Sequence, residues 1–214
     1  MAFKITDHGA QVVHPYSQGR NFPHMQLDAK ARGGVCKALS IYWMVNRAKG
    51  GDFWTWLSSV KGIATVINTQ ATGEAHQKRV HAFGKVPGQV DHGNDGEAWI
   101  AQVLSTGGLS KISEDRRTVK FMEAADWILH DTGQFKLIGL RGSAGGHAVA
   151  VHVSANVVLM DPNFGEIQFP APGNFMAWFP NFVKLYQFRD TPTSPVKTFD
   201  TVVVRPFGTT RARR

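Results

Sequence analysis

The spacing of apolar residues changes character part-way along the chain. Residues 1–32 carry no sustained period and are rich in Gly, His, Pro and Gln, which predicts an extended lead-in packed across the body. From Cys36 to about Ala48 the apolar set Ala38, Leu39, Ile41, Tyr42, Met44 and Val45 covers most of a helical surface, as expected of a central helix enclosed by its neighbours, and Gly50-Gly51 ends it. Residues 52–131 read as helical. Asp52 caps a short segment over 53–57, and further helices are expected over 65–83, 95–104 and 119–129. After Gly133 the period drops to that of strands. Runs over 135–140, 147–153 and 157–161 predict an antiparallel meander, continued at 165–169. An aromatic-rich helix over 174–188 and a closing strand over 201–204 follow. Helices first and strands later predict an α+β fold with segregated elements.

Length and composition narrow this picture. A chain of 214 residues with 43% hydrophobic content suits one domain. The expected organisation is the lead-in 1–32, a single catalytic domain over 33–208 and a basic tail over 209–214. The single cysteine excludes an intramolecular disulfide. The first residues lack a charged segment followed by a long apolar run, so no secretory signal peptide is expected, and no stretch is long enough to span a bilayer. A net charge of +8 suits anionic partners such as phosphates, acidic proteins or a bacterial wall. No nucleic-acid module accompanies it, and nucleic-acid binding is not expected.

The lone cysteine has a particular setting. Gly33-Gly34-Val35-Cys36 is a glycine-hinged loop running straight into the apolar helix, so Cys36 stands at the helix N-terminus. Unpaired amide N–H groups and the positive dipole end of a first turn favour a thiolate. A thiolate nucleophile needs an imidazole, and the imidazole needs a third group that accepts its other N–H. Strands 147–153 and 157–161, joined by Ser154-Ala155-Asn156, form a hairpin that brings the start of one near the end of the other, which makes His147 and Asp161 neighbours. His152 is offset by five residues and falls on the opposite face.

Each of these residues also has a structural reading. A cysteine is commonly a small buried hydrophobe, and Asp161 before Pro162 is a turn initiator. The run from Asp161 to Glu166 is too short for a calcium loop, and neither His76 with His81 nor His92 with Asp95 is part of a four-ligand set, so no metal or other cofactor is expected. The six tryptophans read as core; a cluster of Trp178 with Phe175, Phe179 and Phe182 is alternatively a substrate-groove lining.

Gly34-Val35-Cys36…Leu39-Ser40, Gly146-His147-Ala148-Val149-Ala150 and Asp161-Pro162-Asn163-Phe164-Gly165-Glu166 together resemble the three motif blocks of the YopT-type cysteine proteases, bacterial effectors with a papain-like core. His147 lies 111 residues after Cys36 and Asp161 another 14 beyond it, in the family's order. The resemblance implies a papain-like fold in which the nucleophile-bearing helix of the helical part packs on the C-terminal sheet. It implies Cys36 as nucleophile, His147 as general base and acid, and Asp161 as orienting carboxylate. It also implies an amide donor upstream of the nucleophile to complete the oxyanion hole. None of residues 29–34 is Asn or Gln, and Gln26 is the nearest candidate, with Gln18 and Asn21 further away.

The leading expectation is therefore a thiol protease effector that leaves the bacterium without a signal peptide and cuts a protein in a target cell. The Gly146-His147 block is similar to that of CHAP and NlpC-type peptidoglycan amidases as well, which suits the charge and makes a wall hydrolase the alternative. A non-enzymatic module on a degenerate papain-like scaffold is the third reading. The partners these readings admit are a protein or peptidoglycan substrate and an immunity protein or secretion chaperone.

Overall fold

The computed structural model describes residues 3–22, 34–83, 94–112, 117–189 and 191–209. The chain divides into two compact units, one holding Gln18–Ser110 with the residues from Thr209 onward, the other Met1–Ser17 with Lys111–Gly208.

The first unit is helical, with α1 (Gln18–Asn21), α2 (Cys36–Ala48), α3 (Phe53–Ser58), α4 (Val60–Phe83) and α5 (Asn94–Ser105). Helix α2 is its centre and packs against α3, α4 and α5. Ala38, Leu39, Ile41, Trp43, Met44 and Val45 are buried along it, as the apolar pattern predicts. Gly50, at φ 71°, takes the left-handed conformation just past its C-terminus, and Gly51 N–H returns to the Asn46 carbonyl at 2.8 Å. Asp52 caps α3 by accepting from the Trp54 and Thr55 N–H groups. Helix α4 begins at Val60 rather than Thr65, because the Ser59 hydroxyl accepts the Gly62 N–H at 3.0 Å and caps it earlier.

Strand β2 (Leu109–Lys111) lies where the chain passes from one unit to the other. The second unit holds β1 (Gln11–Pro15), β3 (Arg117–Lys120), α6 (Ala124–His130), β4 (Phe135–Gly142), β5 (Gly145–Val153), β6 (Val157–Asp161), β7 (Gly165–Phe169), α7 (Pro172–Phe182) and β8 (Phe199–Thr209). Its antiparallel sheet runs β1-β7-β6-β5-β4-β8, with β3 also on β8. The segregated α+β fold expected from the sequence is the fold found.

Three further elements, in this second unit, differ from the pattern. Val119, expected in a helix, is on β3, where Thr118 and Val119 pair with Val203 and Val202; the β-branched side chains favour the strand, and the helix begins at Ala124. The aromatic helix starts at Pro172, which suits a first turn, and tightens into a 3-10 turn over Val183–Tyr186 instead of reaching Phe188. Strand β8 extends past Val204 despite Pro206 and lies inside the sheet, between β4 and β3.

One face of this sheet is covered by α6 and α7. Phe175, Trp178, Phe179 and Phe182 are fully buried there with Ile128, Ile138, Leu140, Val149, Val151, Leu159, Phe169 and Val204. The groove-lining reading of this aromatic cluster is thus overturned: with its rings spent on the core, it presents no surface to a ligand. Trp43 and Trp99 are buried as well, while Trp54, Trp56 and Trp127 are half-buried. On the same sheet face the Lys136 ammonium, wholly enclosed, donates to the carbonyls of Asp131 (3.0 Å), Thr132 (2.9 Å) and Gly133, closing the turn after α6. Burial pulls its pKa down to about 8, opposed by the nearby Asp131 charge.

The N-terminal residues are tied into this unit. β1 pairs with β7, Trp178 Nε1 donates to the Ile5 carbonyl at 2.9 Å, and Asn174 Nδ2 donates to the His8 carbonyl at 2.9 Å. Gly165 is required where β1 crosses. Its φ is 94°, and a Cβ there would stand 1.9 Å from the His14 carbonyl oxygen. No helix among the described residues is long and apolar enough to cross a membrane.

Candidate active site

His147 and Asp161 meet by sheet register. β5 and β6 pair Val153 with Val157 and Ala150 with Met160. Continued by one residue, that register sets Asp161 across from Val149, with His147 one same-face step further along β5. The two side chains are diagonal neighbours on the face covered by α7. His147 Nε2 lies 3.0 Å from Asp161 Oδ1, and their side chains are 6% and 0% exposed. So thoroughly excluded from water, the pair interacts in a low local dielectric, where a charge-assisted bond is worth most.

Asp161 also starts the turn into β7. Its Oδ1 accepts the Asn163 N–H at 2.8 Å, and its carbonyl accepts the Phe164 N–H at 3.1 Å. The turn-initiator reading of Asp161 therefore holds, in the same residue whose carboxylate meets His147. With Nε2 facing the carboxylate, Nδ1 is the ring nitrogen on the far side of the imidazole from Asp161. His152 is on the other sheet face, its ring centroid 4.6 Å from that of Phe135.

A third group joins the pair that the sequence did not single out. Tyr186, at the end of the 3-10 turn after α7, donates its hydroxyl to Asp161 Oδ2 at 2.5 Å, and the same oxygen lies 3.0 Å from His147 Nε2. Asn163 Nδ2 approaches the hydroxyl at 3.4 Å. Its ring sits among Phe164, Phe182, Phe199 and His147, with centroids 5.2 to 5.6 Å away. An aromatic-rich helix hides such a residue, because its neighbours have the same composition for reasons of packing.

In the helical unit Cys36 is the first residue of α2, half-buried, and the preceding Gly34 has φ 94°. Gln70 of α4 accepts the Ala38 N–H at 3.3 Å. The residue that reaches back to the helix start is Gln18 of α1. It is buried, and its Oε1 accepts the Val35 N–H at 3.0 Å. Gln26 lies outside the described residues. Eighteen positions separate Gln18 from Cys36, and no local pattern in the sequence joins them. Among the described residues no group of His, Cys, Asp and Glu could hold a metal ion; the side chains of His76, His81, His92 and Asp95 lie outside them.

Over residues 4–191 the sequence matches the peptidase C58 family, described as the Yersinia/Haemophilus virulence surface antigen. The chain belongs to this family. It is similar to the cysteine protease YopT of Yersinia enterocolitica, 24% identical over 194 residues that cover 83% of this chain and 59% of YopT. It is also similar to the protein adenylyltransferase and cysteine protease IbpA of Histophilus somni, 20% identical over 196 residues that cover 83% of this chain and 5% of IbpA. The chain therefore spans about three fifths of YopT and a small part of IbpA. Among solved structures, the Pseudomonas avirulence protein AvrPphB shares the fold. It superposes with a TM-score of 0.58 at 17% identity, over 83% of this chain and 94% of that one. The resemblance to YopT-type proteases in the three motif blocks therefore reflects family membership along most of the chain.

Proposed function

We propose that this C58 family member is a cysteine peptidase in which Cys36 attacks, His147 carries the proton and Asp161 orients His147. The observation that carries the reading is the buried 3.0 Å contact of His147 Nε2 with Asp161 Oδ1, in a family whose named members include cysteine proteases. The carboxylate keeps a proton on Nε2 and leaves the exchange of protons to Nδ1. Nδ1 takes the thiol proton, and the Cys36 sulfur adds to the substrate carbonyl carbon. The carbonyl π pair moves onto oxygen. When the tetrahedral species collapses, the C–N bond breaks, Nδ1 returns the proton to the departing amine, and a thioester remains. Water, losing a proton to Nδ1, then hydrolyses the thioester and releases the carboxylic acid and the thiol.

Gln18 takes the oxyanion role that the sequence assigned to Gln26. Its Oε1 is the end bonded to Val35, so Nε2 is its donor end, and the Cys36 N–H is the second donor. The substrate is a protein, and the chain acts as an effector delivered into a target cell. The family's description as a virulence antigen supports this.

The test compares the protein with Cys36→Ala on a lysate of target cells and on purified peptidoglycan. New protein N-termini that require Cys36 are expected. Muropeptide release that requires Cys36, without cleavage of any protein, would replace the protease by a wall amidase.

A further inference from the structure

We propose that Tyr186 is a positioning residue of the His147–Asp161 pair, whose hydroxyl withdraws negative charge from Asp161 and so sets how firmly His147 holds its proton. The inference rests on His147 being the proton carrier. A carboxylate shared among several donors offers less charge to each. Asp161 receives three: His147 Nε2–H and Asn163 N–H on Oδ1, and the Tyr186 hydroxyl on Oδ2 at 2.5 Å. The hydroxyl bond is the shortest of the three, and the carboxylate is fully buried. Oδ2 thus has a protein donor where it is enclosed from bulk solvent.

The hydroxyl carries a single proton, and the shorter contact assigns it to Asp161. Its oxygen therefore meets His147 Nε2–H as a neutral acceptor at 3.0 Å. Two effects oppose each other. The bond to Asp161 weakens the carboxylate's hold on the imidazolium, and the lone pair facing Nε2–H strengthens it. The charged, shorter bond outweighs the neutral, longer one.

The titratable groups that the described contacts set against this imidazole are Asp161 from β6 and Tyr186 from the 3-10 turn. β8 contributes the Phe199 ring, and in the register of β4 with β5 Leu140 is the residue opposite His147. A proton held less firmly on His147 is delivered more readily to a leaving amine, which is the catalytic use of such a device.

The experiment follows the His147 ring by heteronuclear NMR over pH in the full chain carrying Cys36→Ala, with Tyr186 intact and with Tyr186→Phe. The phenyl ring keeps the aromatic contacts, so a folded protein is expected, with its thermal melt lowered by the loss of the donor to Asp161 Oδ2. The His147 titration midpoint is expected to rise by about one pH unit when the hydroxyl is removed. An unchanged midpoint would reduce Tyr186 to packing, and a lowered one would show that its lone pair, not its donor, governs His147; either overturns the proposal. Site-specific 3-fluorotyrosine at 186 is a second arm that does not depend on how Tyr186→Phe folds. Its stronger donor is expected to move the midpoint down, and an upward or null shift overturns the proposal as well.

Alkylation of Cys36 by iodoacetamide, measured in both versions with Cys36 restored, separates this from the catalytic reading. If Cys36 reacts like a free thiol in both, the protease assignment fails, while the NMR midpoints still decide the role of Tyr186.

Discussion

Replacing Asp161 by Asn changes charge without changing shape, and the contacts around it set the outcome. Two donors converge on Oδ1, His147 Nε2–H at 3.0 Å and Asn163 N–H at 2.8 Å, so the amide oxygen takes that place. The amide nitrogen then replaces Oδ2 and meets the Tyr186 hydroxyl where a 2.5 Å bond had been, donor against donor. The hydroxyl must rotate away. The imidazolium also loses a buried counter-charge. Losing the one charge-assisted bond that favours the imidazolium, at the upper end of about 1.5–3 kcal/mol because the pair is buried, amounts to about 3 kcal/mol against that form. That corresponds to a roughly 100-fold fall in the rate of thiolate chemistry at neutral pH.

The chain's single cysteine makes the assay clean, because every alkylated product reports Cys36. The second-order rate with iodoacetamide is expected to fall about 100-fold. The His147 midpoint is expected to move down, opposite to the upward shift in Tyr186→Phe. Stability should change by no more than about 2 kcal/mol, since the desolvation cost of a buried charge disappears along with its bonds. An alkylation rate within threefold of the parent, in a folded protein, would refute the orienting role of Asp161.

Gln18→Ala should lower hydrolysis of an activated ester by about 100-fold through kcat, while leaving iodoacetamide alkylation, which forms no oxyanion, within a few-fold. Gly165→Ala combines a φ of 94° with a Cβ 1.9 Å from the His14 carbonyl, and should cost more than about 2 kcal/mol in denaturant unfolding. Lys136→Met leaves the carbonyls of Asp131, Thr132 and Gly133 without their donor, and a loss of about 1–3 kcal/mol is expected at pH 7. Because burial lowers the Lys136 pKa to about 8, the folded chain releases this proton before the unfolded one does. Between that pH and about 10.4 the unfolded state binds more protons, so the stability of the parent relative to Lys136→Met should climb with pH; a flat or falling difference contradicts it.

The sequence carried the local half of this molecule and missed most of what is joined at long range. Helix α2 was legible to the residue, because an all-round apolar stretch is bounded by a glycine loop and a glycine pair. His147 and Asp161 were legible because a three-residue hairpin loop fixes its register, although the pair is diagonal rather than directly opposed. Strand β8 was read as four residues, because Pro206 disguises an eleven-residue element. Gln18 was named only as a more distant alternative to Gln26, and Tyr186 was not found: one reaches Val35 across 17 positions and the other reaches Asp161 across 25. Side-chain amides and hydroxyls leave no periodic trace, so only the folded chain reveals which of them serve a site.

The central claim is a thiolate at Cys36 that depends on His147, and the pH profile of Cys36 alkylation in the full chain, with and without His147→Ala, tests it most directly. The parent is expected to react already well below the free-thiol range, and His147→Ala to return to a single sigmoid near about pH 8.5, that of a free cysteine. A parent profile that already follows that sigmoid, unchanged by His147→Ala, would contradict it.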